Sequence, residues 1–118
     1  MIRKLSFVLS VSALAAGVSL PAAADSVEEF YAGKQLTAVV PSSAGGSFDS
    51  YLRLMADHLG KFIPGNPTII VQNMPGGGGV KSLNYIYNVA PKDGTYFGMP
   101  IHTTLTFGLL NPDKVKFE

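Results

Sequence analysis

Two glycine-rich stretches hold the residues whose types and spacing suit a chemical task. V-P-S-S-A-G-G-S-F-D-S runs from Val40 to Ser50, and Q-N-M-P-G-G-G-G-V-K-S from Gln72 to Ser82. Each follows an apolar, β-branched run and precedes residues with helical spacing. A helix start presents unpaired backbone NH groups and about half a positive charge, so an anion is its natural guest. Glycine lets the backbone approach that anion and adopt positive φ without a Cβ clash. Together the stretches read as two backbone clamps for a carboxylate or a phosphate.

Other chemistries fail on spacing. A phosphate-binding P-loop needs Gly-Lys-Ser/Thr in direct succession, but Val80 separates Gly79 from Lys81 and Ser82. The dinucleotide pattern G-x-G-x-x-G fails as well: after Gly76 and Gly78 the required position holds Lys81, and the first loop has only Gly45 and Gly46. There is no G-x-S-x-G elbow. His58 and His102 stand alone, and the chain has no cysteine, so no metal site or cofactor is expected. His58 belongs on a solvated helix face, whereas His102, near a strand end, has some claim on a cleft. Asp49 has two readings, a first-turn helix acid or a group that orients the first loop and its waters. The plainest account of the loops is that glycine lets a strand reverse into a helix. Two at successive strand ends favour ligand contact, because open α/β sheets bind ligands outside the carboxyl ends of their strands.

The elements that must position these loops follow from periodicity. Asp25 to Lys34 reads as a short helix with a polar cap, acids in its first turn and Gly33 as a stop. Gln35 to Pro41 and Thr68 to Gln72 read as buried strands, and Thr95 to Ile101 as a third strand with Pro100 near its end. Phe48, Tyr51, Leu52, Met55, Leu59 and Phe62 recur as the apolar stripe of a helix with Ser47 as N-cap. Asp49, Arg53, Asp57, His58 and Lys61 take its other face, where Asp49 and Arg53 can pair on the surface. Val80, Leu83, Ile86, Tyr87 and Ala90 share a face of a second helix, Val80 to Ala90, and the segment after His102 is ambiguous between loop and helix. Strands alternating with helices imply an α/β domain with a parallel sheet and right-handed crossovers.

At the N-terminus, Arg3 and Lys4, the uncharged Leu5–Leu20 stretch and Ala22–Ala24 have the three parts of a secretory signal peptide, with cleavage expected after Ala24. The rival reading is a retained membrane anchor, at the short limit of about 17 residues for a span. Removal of residues 1–24 leaves 94 residues with seven Lys/Arg against eight Asp/Glu, a net charge of −1, whereas the whole chain carries +1. Such a balance supplies no electrostatic reason for nucleic acid or anionic membrane as partner. The ending N-P-D-K-V-K-F-E is read as that of a fragment.

The order of strand ending in V-P, then S-A-G-G-S-F-D-S-Y-L-R, V-Q-N-M-P-G-G-G-G and N-V-A-P-K-D-G-T resembles the periplasmic solute receptors of tripartite tricarboxylate transporters, the Bug family. Pro41, Gly45, Gly46, Asp49 and Arg53 match that family's P-x-x-x-G-G-x-x-D-x-x-x-R. Asn73, Pro75, Gly76, Gly78 and Gly79 match its N-x-P-G-A-G-G, and Asp93, Gly94 and Thr95 its P-D-G-Y-T-like turn. Gly77 stands where alanine is usual, Ser42 where an aromatic is common, and Lys92 is inserted in the turn.

The resemblance implies a two-lobed, type II-like periplasmic-binding-protein flytrap, with residues 25–118 as the first part of lobe one. It implies a ligand carboxylate held by Ser43, Ala44, Gly45, Gly46 and Ser47 on the first loop and Gly76, Gly77, Gly78 and Gly79 on the second. Asp49 stands beside them, and Thr103 and Thr104 are further hydroxyl donors. The implied protein is a monomeric periplasmic receptor, not an enzyme, that delivers a di- or tricarboxylate or related organic acid to membrane transporter subunits. Two rivals are a nucleotide- or phosphate-binding α/β enzyme domain and a carboxylate-sensing domain of a signalling system. Without the partner lobe, apolar surface should be exposed and residues 25–118 poorly soluble alone.

Overall fold

The β-branched run Gln35–Val40 becomes the strand on which the rest is built. A computed structural model describes residues 26–117; the expected signal peptide and Asp25 lie outside the described residues. Helix α1 (Val27–Tyr31) leads into β1 (Gln35–Val40), and α2 (Ser47–Leu59) with a 3₁₀ turn (Gly60–Phe62) into β2 (Thr68–Asn73). A second 3₁₀ turn (Gly77–Gly79) opens α3 (Val80–Asn88), which leads to β3 (Tyr96–Gly98), α4 (His102–Leu110) and a last turn (Pro112–Lys114).

The three strands form one parallel sheet in the order β2-β1-β3. The protein is therefore a small α/β domain. Central β1 is buried from Leu36 to Val40, as a parallel strand covered on both faces should be. Ala38, Val40 and Leu52 form the core, with Phe48, Ile69, Val71, Phe97 and Met99 packed against it.

Two expectations change and one open reading is resolved. β2 is an edge strand with Thr68 and Ile70 exposed, because a three-stranded sheet has only one interior position. β3 keeps only Tyr96–Gly98: Met99 N makes the last bond to β1, to Val39 O at 3.1 Å, and the chain then leaves the sheet through Pro100 to enter α4. The segment from His102 is a helix.

Helix α2 is rotated from its expected orientation. Asp49, Leu52 and Ala56 are its buried residues, while Tyr51, Met55 and Phe62 are exposed. The i, i+3, i+7 face that meets the sheet thus includes an acid from the expected polar face. Its N-cap is Gly46 rather than Ser47, which is the first helical residue. In α3 the buried residues are Val80 and Ser82, and Tyr87 is exposed.

Helix α4 consists almost wholly of apolar residues and threonine, and it leaves Leu105, Leu109 and Leu110 at 75%, 84% and 76% exposure. Contiguous exposed leucines drive association in water. Residues 25–118 expressed alone should therefore elute as oligomers or aggregates in size exclusion with light scattering, and Leu109→Lys should raise the monomer fraction. A monodisperse, cooperatively melting wild-type sample would contradict this.

Candidate functional site

In a parallel sheet the carboxyl ends of all strands lie on one edge, so the segments after β1, β2 and β3 are neighbours. Met74 N donates to Val40 O at 2.8 Å, which ties the exit of β2 to the exit of β1. Gly79 packs against the exits of both other strands. A Cβ there would lie 3.4 Å from Pro41 Cβ and 3.4 Å from Ile101 Cγ1, and would overlap Thr104 Oγ1. Helices α2, α3 and α4 all begin on this edge, at N-caps Gly46, Gly79 and Ile101, and none has a side-chain cap. Remote α1 is the contrast. Ser26 and Glu29 form a reciprocal capping box there, with Glu29 N donating to Ser26 Oγ at 3.1 Å and Ser26 N to Glu29 Oε2 at 2.9 Å.

The second loop has positive φ at four successive residues: Gly76 at 141°, Gly77 at 54°, Gly78 at 58° and Gly79 at 100°. Its carbonyls are all engaged by the protein. Gly76 O accepts from Gly79 N at 3.0 Å, Gly77 O from Val80 N, and Gly79 O from the buried Ser82 Oγ at 2.8 Å. Gly78 O accepts from Thr104 Oγ1 at 2.9 Å and Thr103 Oγ1 at 3.2 Å. An anion beside this loop is spared the repulsion of free carbonyl oxygens. Thr103 and Thr104, expected as donors to a ligand, give their only hydroxyl protons to the loop instead; Thr104 is buried and Thr103 exposed.

The first loop is held from within. Gly45, at φ 82°, donates its NH to Asp49 Oδ2 at 2.7 Å. Arg53 Nε donates to the same oxygen at 3.0 Å, and Arg53 Nη2 reaches Asp49 Oδ1 at 3.0 Å and Asn73 Oδ1 at 3.0 Å. Asn73 Nδ2 donates to Asp49 Oδ1 at 2.8 Å and to Ser42 O at 3.0 Å. Asp49 is 2% exposed, so its pair with Arg53 is not the surface pair that helical spacing suggested. Of its two readings, the one in which it orients the first loop matches this geometry.

Ser43, Ala44, Gly45 and Ser47 are exposed, as are Gly76 and Gly77; Gly46 and Gly78 are half-buried and Gly79 is buried. The two stretches are thus adjacent and present backbone at the surface. His102 is exposed at the start of α4, its ring centroid 6.3 Å from that of Phe48, and His58 on the outer face of α2 pairs Nδ1 with Leu54 O at 2.9 Å. Ser42 Oγ is buried with no hydrogen-bond partner among the described residues. A cavity of about 500 Å³ lies between α4 and the chain after it, lined by Thr104, Leu105, Leu109, Pro112, Val115 and Phe117. One of about 400 Å³ touches the second loop at Gly77, next to Lys81, Asn84, Phe107 and Lys114.

Asn73 and Ser82 are site-shaping residues absent from the expected set. The motif match marks Asn73 in the sequence, but its bonding role shows only once the parallel register opposes it to Val40 and places its amide beside Ser42.

The Asp49 carboxyl is held well below the usual carboxylate range, first by the Arg53 hydrogen bond and then by those from Gly45 and Asn73. A depressed folded-state pKa adds stability above the unfolded value of about 4, and that stability is lost as pH falls below it. The urea midpoint of the wild type should therefore drop more steeply between about pH 5 and pH 3 than that of Asp49→Asn. Parallel curves would show that Asp49 is not the group responsible.

No family model, curated protein or solved structure matches the chain.

Proposed function

We propose that this chain is part of a periplasmic solute-binding receptor that captures a small carboxylate, a di- or tricarboxylate or related organic acid, and delivers it to a tripartite tricarboxylate transporter. The observation that carries the reading is the second loop, whose four carbonyls are all bonded inside the protein beside three helix starts that no side chain caps. Backbone NH groups and helix dipoles then dominate the field at this edge, and both favour a carboxylate.

In this reading the protein does no chemistry. The family resemblance supplies the rest: an N-terminal export signal, a second lobe that closes over the acid, and transporter subunits as the partner. The two loops recognise only the carboxylate group; the remainder of the ligand would be read by the opposing lobe.

A thermal-shift screen of the mature protein with its second lobe tests this against di- and tricarboxylates, aromatic acids and nucleotides. A ligand at 100 times its Kd adds about 2.7 kcal/mol of stability, a readily visible shift. Stabilisation by a carboxylate alone is the expected result. Stabilisation by a nucleotide alone would assign the loops to phosphate and favour an enzyme domain, and no shift with any acid would refute the receptor reading.

A further inference from the structure

We infer that Asn73 and Arg53 are positioning residues for the anion clamp: by sharing the Asp49 carboxylate they lock the first glycine loop onto the strand that feeds the second, so that both loops act as one preformed unit. The inference rests on the carboxylate reading above. Asn73 is the last residue of β2, and three residues later the second loop begins at Gly76. Its amide spends both kinds of polar atom on the other loop and its helix. Nδ2 donates to Ser42 O at 3.0 Å, where the first loop starts, and to Asp49 Oδ1 at 2.8 Å, while Oδ1 accepts from Arg53 Nη2 at 3.0 Å. The other carboxylate oxygen then takes the NH of Gly45, at the left-handed residue of the first loop, at 2.7 Å.

None of these atoms is left to touch a ligand, so their effect on binding must be indirect. Two consequences follow. The first loop is ordered before a ligand arrives, which lowers the cost of binding. The Asp49 charge, which would otherwise repel an anion at the adjacent loop, is neutralised by a guanidinium bonded to both of its oxygens.

The test uses the isotope-labelled mature protein with its second lobe, carrying Asn73→Ala, Arg53→Gln or, as a control, Leu36→Val. Leu36 is buried at the opposite end of β1 and contributes only packing. Amide hydrogen exchange at Gly45 reports the coupling, since Gly45 bonds to Asp49 and not to Asn73 itself. Isothermal titration with citrate, succinate and benzoate reports the affinity. Asn73→Ala is expected to speed Gly45 exchange and to weaken binding, each about tenfold, the worth of one well-made hydrogen bond. The control should lower the melting temperature and move neither quantity. An unchanged Gly45 exchange rate in Asn73→Ala would overturn the coupling. Faster exchange with unchanged affinity would confine the clasp to stability and overturn the positioning role. If the wild type binds none of the three acids, the carboxylate reading falls and the anion role of the pair with it, while the Gly45 rates still decide the coupling. Should Asn73→Ala not fold, Arg53→Gln carries the same comparison, since the Arg53 side chain is 46% exposed and its loss is better tolerated.

Discussion

Gly79→Ala is expected to leave the domain largely unfolded at room temperature. Gly79 sits at φ 100°, ψ −9°, a left-handed conformation that an alanine adopts only under strain, at a cost of about 1 to 3 kcal/mol. Its Cβ would also enter the volume of Thr104 Oγ1, with Pro41 and Ile101 in contact at 3.4 Å leaving it no room to move aside. Overpacking of this kind costs about 1 to 3 kcal/mol more, because relief requires the buried Thr104 hydroxyl to leave Gly78 O. The sum is comparable with the stability of a small domain, about 5 kcal/mol at the low end. Urea denaturation followed by far-UV circular dichroism checks it. Thr104→Ala on top of Gly79→Ala should recover part of the loss by removing the collision, and only part, because the strained φ remains and Gly78 O loses a donor. A single variant with a wild-type midpoint would mean that the loop has another conformation of similar energy.

Asp49→Ala is the second large effect expected, and it separates hydrogen bonding from ion pairing. The substitution removes the acceptor for Gly45 N, Asn73 Nδ2 and Arg53 Nε in one step. Donors that lose a buried partner lose more than the bond itself was worth. Arg53 can turn its half-exposed guanidinium to water, but the amides of Gly45 and Asn73 are held by the backbone and by Ser42. The melting temperature should therefore fall further for Asp49→Ala than for Arg53→Ala. Asp49→Asn should fall between wild type and Asp49→Ala, since one of two acceptor oxygens survives. Equal losses for Asp49→Ala and Arg53→Ala would place the stabilisation in the ion pair.

How much of this was legible in advance varies with the range of the interaction involved. β1 is identifiable from its own residues, because Leu36, Ala38, Val39 and Val40 are apolar on both faces and a central parallel strand needs that. The stop at Gly33, with φ 69°, is equally local. The face of α2 is not. Helical spacing marks Tyr51, Met55 and Phe62 as apolar, yet all three are exposed and Asp49 turns inward, because its partners come from 4 to 24 positions away. The length of β3 depends on its pairing with β1, and the last bond there is that of Met99 N to Val39 O. Thr104 has the same history: its hydroxyl suggests a ligand contact, and the fold directs it to Gly78 O instead.

The sequence alone therefore determined the α/β class of the fold, the order of strands and helices as far as β3, and the placement of two glycine loops at strand ends. These depend on local propensity, on periodicity and on glycine's tolerance of positive φ. Only the tertiary structure decided that Asp49 is buried and clasped by Arg53 and Asn73, that the second loop turns its carbonyls onto Thr103, Thr104 and Ser82, and that β2 lies at an edge. The bonds of Asn73 to Asp49 and of Thr103 and Thr104 to Gly78 join segments 24 to 26 positions apart, and they fix which of the local bonds can form. A side chain's type states what it can bond to, and the packing of the sheet edge determines which partner is within reach.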